Sequence, residues 1–483
     1  MSARWIFTGM GIAAVLGAAA SGAAESWYVD NRAAGLNNGS SWNDAWRSFA
    51  EVSWPSVSPG DTIYISGGST QKVYREQLDI DARGDPGMPI TVTVGQDPGH
   101  NGTVVISGAG ISINDPGHVV VTGEYRGRRR MRIEDSPGYA VYAESDPVQD
   151  VRIAYIEVTR CNAVFNVYIR GEPSGVEVDH LHVHHPVHED ALLLLFWEGN
   201  TAGYGAAARI HHNIFDLNGV GQDAVRLTAG GYDVFKNEIR ARGTQPSHND
   251  GIQVFTAVPI SHIRIFDNRI SGAGNWSIGI SASQPFSNLQ IFNNVLDLAD
   301  SVSGTRKGIF IRPGGGTVSD NIHVYNNTIV NANALGVELD VTDNAPAELS
   351  NVKIKNNLLY ESNSITINQL FGEVAGLEVD YNCLWASDPG WQQVHYNGSS
   401  YAPPYAGLNE NGTDEKPLLA DVPGRDYHLA APDQACMERG VDLSPFFAAD
   451  KDGIPRPQGT AWDVGAYERP PLSPPTGLRI TEK

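Results

Sequence analysis

The sequence predicts an all-β chain folded as a right-handed parallel β-helix, on the strength of a recurring phrase, an asparagine fixed within it, and the lack of a competing helical period. The phrases read "ARIHHNIF", "YDVFKNEI", "IRIFDNRI", "LQIFNNVL", "IHVYNNTI", "VKIKNNLL" and "LEVDYNCL". Aligned, they share Asn213, Asn237, Asn268, Asn294, Asn327, Asn357 and Asn382. Spacings run from 24 to 33 residues, so loops of different length ride on a constant strand frame. Two earlier phrases, "VRIAYIEV" and "VEVDHLHV", place Ile156 and Leu181 in the same column.

Each phrase alternates apolar and polar residues, the period of a strand, and a second short strand follows some ten residues later. One such unit cannot bury its apolar face. Stacked coil on coil at about 4.8 Å per rung, the units make a continuous core. An inward asparagine at each bend would bond to the next one and to turn backbone that the bend otherwise strands.

The ends are read from where the repeat stops. Residues 1–24 carry Arg4, the apolar "GIAAVLGAAA" and the small "SGAA", the pattern of a cleaved signal peptide, so a secreted or periplasmic protein is expected. Residues 25–110 form an N-terminal cap and first coils: in "SSWNDAWRSFAEV", Trp42, Trp46, Phe49 and Val52 fall at helical spacing behind Ser41 and Asp44, which predicts a short capping helix. Residues 111–385 are the coils that carry the ladder. Residues 386–470 lose the repeat and are assigned to a C-terminal cap, since an open solenoid end invites aggregation, and 471–483 read as a Pro-rich tail or linker stub.

Formal charge is −21, with 55 acidic against 34 basic residues and one basic cluster, "RGRRRMR" at 126–132, so no nucleic-acid partner is expected. No run reaches membrane-spanning length, and a monomer away from membranes is expected. Cys161, Cys383 and Cys436 leave at least one thiol unpaired; Cys383 with Cys436 could form a bridge, or all three could be buried thiols.

The N-terminal sequence "SWYVDNRAAGLNNGSSWNDAWRSFAEV", the following "PGDTIYISGG", the asparagine coils and the late "DKDGIPRPQGTAWDVGAYE" together resemble secreted bacterial β-helix proteins of the pectate lyase-like superfamily. The resemblance covers nearly the whole mature chain. It implies the fold, whereas the chemistry stays open among lyases, hydrolases, epimerases and adhesins.

Candidate chemistry lies in a second column. The segments "DALLLL", "DAVRLT", "DGIQVF", "IGISAS", "KGIFIR" and "LGVELD" align Asp190, Asp223, Asp250, Ile278, Lys307 and Leu335 ahead of a small residue. Two full charges about 5 Å apart repel by about 3 kcal/mol at an effective dielectric of about 20, so three stacked carboxylates call for a cation, a shared proton or a base. His188 and His248 stand two residues ahead of their aspartates, Glu189 and Asn249 lie between, and Arg226, Gln253, Lys307 and Arg312 extend one polar groove.

Three functions could use this groove. In the first, Asp190, Asp223, Asp250 and Glu189 hold Ca²⁺, which neutralises a uronate carboxylate; Lys307, Arg226 or His248 removes the C5 proton, with Asp250 in the catalytic set and His188, Gln253 and Arg312 binding polymer. This is similar to calcium-dependent pectate lyases, some of which carry an acidic pair and Ala before a strand, as in "HEDALLL". It is preferred because an acidic chain meets an acidic polysaccharide poorly unless a cation mediates. In the second, an aspartate pair acts as acid and base of a glycoside hydrolase, although the polygalacturonase strings of paired Asp and Gly-His-Gly are missing. In the third, the groove binds a glycan without cleaving it.

Other features have plainer uses. His180, His182 and His184 alternate on one strand face and invite zinc, but an exposed histidine ladder is the commoner arrangement. Trp385, Trp391, Tyr396, Tyr401 and Tyr405 suit packing on the solenoid end. Arg128, Arg129 and Arg130 read as a solvated turn, and Gly314, Gly315 and Gly316 lack the strand-turn-helix setting of a phosphate loop.

Overall fold

The computed structural model describes residues 23–162, 165–188, 190–197, 199, 203–220, 223–242, 250–301, 304–314, 318–341, 348–369 and 373–469. The leader up to residue 22, the tail, Glu189, His248, Asn249, Gly315 and Gly316 lie outside them. Three sheets of 14, 12 and 13 strands run the length of the molecule, each strand pairing with its counterpart one coil away. Pairing along the solenoid is parallel throughout; the antiparallel pairs, such as Val394–Tyr396 with Ser399–Tyr401, lie at its end and in side hairpins. The chain is a parallel β-helix.

One coil shows the plan. Tyr232–Phe235 lies in the first sheet, Glu238–Arg240 in the second, and Asp250–Thr256 in the third. Inward columns stack the same residue type: Val225, Ile252, Ile278, Ile309, Val337 and Ile365 are in register and fully buried. They belong to one apolar core running from Val29 to Tyr405.

The asparagine column forms as expected and gains a rung. Asn213 Nδ2 donates to Asn237 Oδ1, and the chain of donors passes through Asn268, Asn294, Asn327, Asn357 and Asn382 to Asn409, each at 2.9–3.1 Å. Each oxygen also accepts the main-chain N–H of the preceding ladder residue, as Asn327 Oδ1 does from Asn294. The residue before each of the seven asparagines from Asn213 to Asn382 has a positive φ, between 47° at Asn326 and 59° at Tyr381. Asparagine tolerates that conformation, which explains the pairs Asn293-Asn294, Asn326-Asn327 and Asn356-Asn357: the first makes the bend and the second fills it.

The expected capping helix does not form. Residues 41–52 make only a single 3₁₀ turn at Phe49–Glu51. The Ser41 and Asp44 side chains do bond to each other at 3.0 Å, but Trp46 N–H donates to Tyr28 O and Asp30 N–H to Trp46 O, so pairing with the first strand takes the backbone groups a helix would use. Trp46, Phe49 and Val52 are buried all the same and close the end of the core.

At the other end Val394–Tyr396 pairs onto Ile365–Ile367, and the following segment then folds back along the side. Tyr427 Oη donates to Asp297, Asn326 Nδ2 donates to Asp463 O and Gly465 O, and Phe447 stacks on Phe292 at 4.5 Å. These contacts fall on the first and second sheets. All three cysteines are buried free thiols. Among the described residues no helix is long and apolar enough to cross a membrane.

Candidate functional site

The third sheet carries the polar groove. Its outward row runs Ser112, Tyr142, Tyr168, Leu194, Arg226, Gln253, Gly279, Phe310, Glu338, Thr366 and His395 in continuous register. The residues just before each strand reach this face because the corner forces two consecutive positions inward. A Cβ on Gly251 would sit 2.5 Å from Ile270 Cγ2 and one on Gly308 2.8 Å from Ile329 Cγ2, so the small residue points in beside the apolar one after it. Asp223, Asp250 and Lys307 precede that small residue and are turned away from the core.

Arg226 is the hub of the first cluster. Its Nη1 lies 2.8 Å from Asp190 Oδ1, and its Nε donates at 2.8 Å to Asp223 Oδ2, which its Nη2 also contacts. Asp250 sits one rung on, opposite Asp223, and accepts from Trp276 N–H and from Gln253 Nε2, both at 2.9 Å. Burial pushes the Asp223 carboxyl above the ordinary range, and burial together with the Asp223 charge pushes Asp250 well above it. The two titrate as a pair, and the interior favours a proton on Asp250. Burial works against the Arg226 charge, but Asp223 and Asp190 outweigh it and hold the guanidinium more firmly protonated than usual.

Several expectations are corrected here. The three carboxylates do come together, but Asp223 and Asp250 are 0% exposed, not open to water, and only Asp190 is partly accessible. Their column also differs: Asp250 stands opposite Trp276, which pairs with Lys307, while Ile278 belongs to the core column of Ile252. Leu193 pairs with Val225, which leaves Asp190 one residue short of the row of Asp223. Gln253 is 8% exposed with its amide spent on Asp250, so it supports that carboxyl from below. Arg226, fixed as a cation by two carboxylates, is unsuited to accept a proton. His188 is exposed in the bend before its strand and takes no hydrogen bond or ion pair from the described residues. Glu189 and His248 fall outside the described residues.

A second cluster lies two to three rungs further on. The Phe310 ring has Lys307 Nζ at 5.2 Å and Arg312 Cζ at 4.9 Å from its centroid, and the Trp276 indole stacks on it at 4.4 Å and 9°. Gly279 leaves room for that indole, since a Cβ there would lie 2.3 Å from Trp276 Cε3. Behind the cations stand two carboxylates on the next strand, Glu338 at 3.0 Å from Lys307 and Asp340 at 3.1 Å from Arg312. Toward the N-terminal end Tyr139, Tyr142 and Tyr168 form a group with centroids 5.1–5.6 Å apart, beside a cleft of about 500 Å³ lined by Arg75, Ser112 and Tyr142. Sequence reasoning missed Trp276, Phe310, Glu338, Asp340, Tyr142 and Tyr168. Register along the sheet was the signal that could have found them.

Comparison with known proteins bears on the fold. No protein-family model matches the chain, and no curated protein matches it. Among solved structures it is similar to XylC in complex with xylose, at 9% identity over 92% of this chain and 98% of that one, with a TM-score of 0.56. It is also similar to pectate lyase Pel9A, at 16% identity over 92% and 96% of the two chains and a TM-score of 0.45. A third is a mannuronic acid specific polysaccharide family 6 lyase from human gut microbiota, at 15% identity over 71% and 77%, with a TM-score of 0.39. Identities this low speak to architecture alone, and the architecture is a parallel β-helix.

Proposed function

We propose that this chain is an exported polysaccharide lyase that cleaves a uronic-acid polymer lying along the outward row of the third sheet. The observation that carries the proposal is the cluster around the buried Phe310 ring: two partly accessible cations, Lys307 and Arg312, each backed by its own carboxylate, beside the half-buried Trp276 indole that stacks on that ring. The accessible part of the Trp276 indole suits a sugar ring, and a guanidinium suits a uronate carboxylate.

Distances divide the labour. Rungs are about 4.8 Å apart, so Arg226, three rungs from Phe310, is about 14 Å away and serves a different sugar of the polymer. At the Phe310 subsite Arg312 neutralises the carboxylate and thereby acidifies the adjacent C5–H. Lys307 takes that proton, which requires its own proton to pass first to Glu338. The electron pair forms the C4–C5 double bond, the C4–O bond breaks, and the leaving oxygen takes a proton from a water, which in turn recovers the proton held on Glu338. At the other subsite Arg226 spends three of its five N–H groups on Asp190 and Asp223, which leaves two for a second uronate.

Calcium has a poor seat in the described residues. The ion takes six to eight oxygens. Here Asp190 and Asp223 already share Arg226, and both Asp250 oxygens are hydrogen-bonded, so the described residues do not fit a calcium cage. Hydrolysis would need two carboxylates flanking a sugar, whereas Asp223 and Asp250 are fully buried.

The test is incubation of the chain with uronate polymers, with and without chelator, followed by ultraviolet absorbance of the unsaturated uronyl product. Absorbance that Lys307→Ala and Arg312→Ala abolish is the expected result, and loss with chelator would restore the ion. New reducing ends without absorbance would replace the lyase with a hydrolase. Binding without cleavage would leave a glycan-binding solenoid.

A further inference from the structure

We propose that Glu157, His182 and His184, on the outward face of the second sheet, bind one divalent transition-metal ion of the zinc class. The site is independent of the third-sheet groove and of the lyase proposal. Glu157 and His182 stand opposite each other on adjacent strands, and His184 lies two residues along from His182, on the same face. One donor atom from each of the three converges within 4.8 Å of the others. His184 Nε2 is 3.1 Å from Glu157 Oε1, and the His182 and His184 rings are 4.2 Å apart at 31°.

The chemistry of the set is specific. Two imidazoles and one carboxylate are a common donor set for zinc, with a water in the fourth position, whereas calcium takes oxygen and leaves imidazole aside. Neither ring nitrogen of His182 has a hydrogen-bond partner among the described residues, so the ring is held in place with its lone pair unspent. On its other nitrogen His184 faces His185 Nδ1 at 2.6 Å, the outer contact that fixes the ring. A cleft of about 410 Å³, lined by Arg129, Tyr155, Glu157, His180 and His182, opens beside the three donors and leaves room for the fourth ligand.

A neighbouring group of similar composition serves as a control. Glu177, Asp179 and His211 also converge, but Asp179 is buried and bridged twice by Arg152, at 2.7 and 2.8 Å, so a cation already occupies it.

The experiment uses the untagged full chain, stripped with chelator, dialysed and titrated calorimetrically with zinc chloride. Expected are one ion per chain, uptake that excess calcium does not displace, and affinity lowered about tenfold or more by His182→Asn or His184→Asn, with His211→Asn unchanged. Equal melting temperatures of the stripped variants establish that they fold. Cobalt(II) gives a second readout, a visible absorption band that His182→Asn removes. No uptake, uptake that both histidine variants leave intact, or uptake that His211→Asn abolishes would each overturn the proposal.

Discussion

Replacing Arg226 by methionine keeps much of the side-chain volume and removes the charge that Asp190 and Asp223 share. Asp223 has a fully buried side chain and one oxygen, Oδ1, that no hydrogen bond satisfies, so it has no route to water when the guanidinium goes. Breaking a buried pair in this way costs about 3–5 kcal/mol. The loss depends on pH with a definite sign. Without Arg226 the Asp223 carboxyl moves further above its unfolded value near 4, so it keeps its proton in the folded state. The variant then matches the native chain up to the already raised value of native Asp223 and falls behind as pH rises above it, by about 1.4 kcal/mol for each pH unit up to the variant's own folded value. Adding Asp223→Asn removes the stranded charge and should return stability to within about 2 kcal/mol of the native chain. Urea unfolding followed by tryptophan fluorescence at pH 4 and pH 7 measures all of this. A single variant that costs less than about 1 kcal/mol at pH 7, or a double variant as unstable as the sum of its parts, would refute the account of the cluster. In turnover, Arg226→Met is expected to raise KM more than it lowers kcat, since it serves a sugar away from the scissile bond.

Asp250→Asn should stabilise the chain near neutral pH and change little in acid, because the buried carboxyl favours its proton and the native fold loses that contribution as pH rises through its raised value; paired thermal melts across pH show the difference. Asp267, at 8% exposure, is pushed by burial to about 7 and sits in the left-handed column that holds Asn293, Asn326 and Asn356. Asp267→Asn should therefore gain up to about 4 kcal/mol above pH 7 and nothing below pH 4, as read by urea midpoints. Asn294→Ala removes the acceptor of the Asn268 N–H and one of the two acceptors of its amide, takes a donor from Asn327 Oδ1 and from Ile265 O, and should cost about 2–4 kcal/mol in the same assay. Trp276→Ala removes one ring of the Phe310 stack and should weaken polymer binding about two- to tenfold, measured by KM on protein whose thermal melt shows it folded, with a stability cost of about 2–4 kcal/mol.

The solenoid was legible because its signal repeats. An asparagine that bonds to its own copy one coil away must recur in sequence, and the strand alternation around it has to keep phase. The capping helix was misread because Ser41 and Asp44 do make the expected side-chain bond, while the backbone behind them pairs with Tyr28 and Asp30, partners that local spacing cannot reveal. The aspartate column was half legible. Its three members meet, but their burial follows from the corner at Gly251, where alternation breaks and two successive residues turn inward. The loop before Trp276 shifted the apparent column by two residues, which hid the indole over Phe310. Glu157 was invisible beside the histidines for the same reason: it joins them through a rung contact, 25 residues away along the chain.

The central claim, elimination at a uronate held by Lys307 and Arg312, is tested most directly by the masses of fragments released from a uronate polymer. Elimination leaves each new non-reducing end one water lighter than hydrolysis does, and the account expects that shortfall in every fragment, with none released by Lys307→Ala. Fragments of full hydrated mass, or shortened fragments that Lys307→Ala still produces, would contradict it.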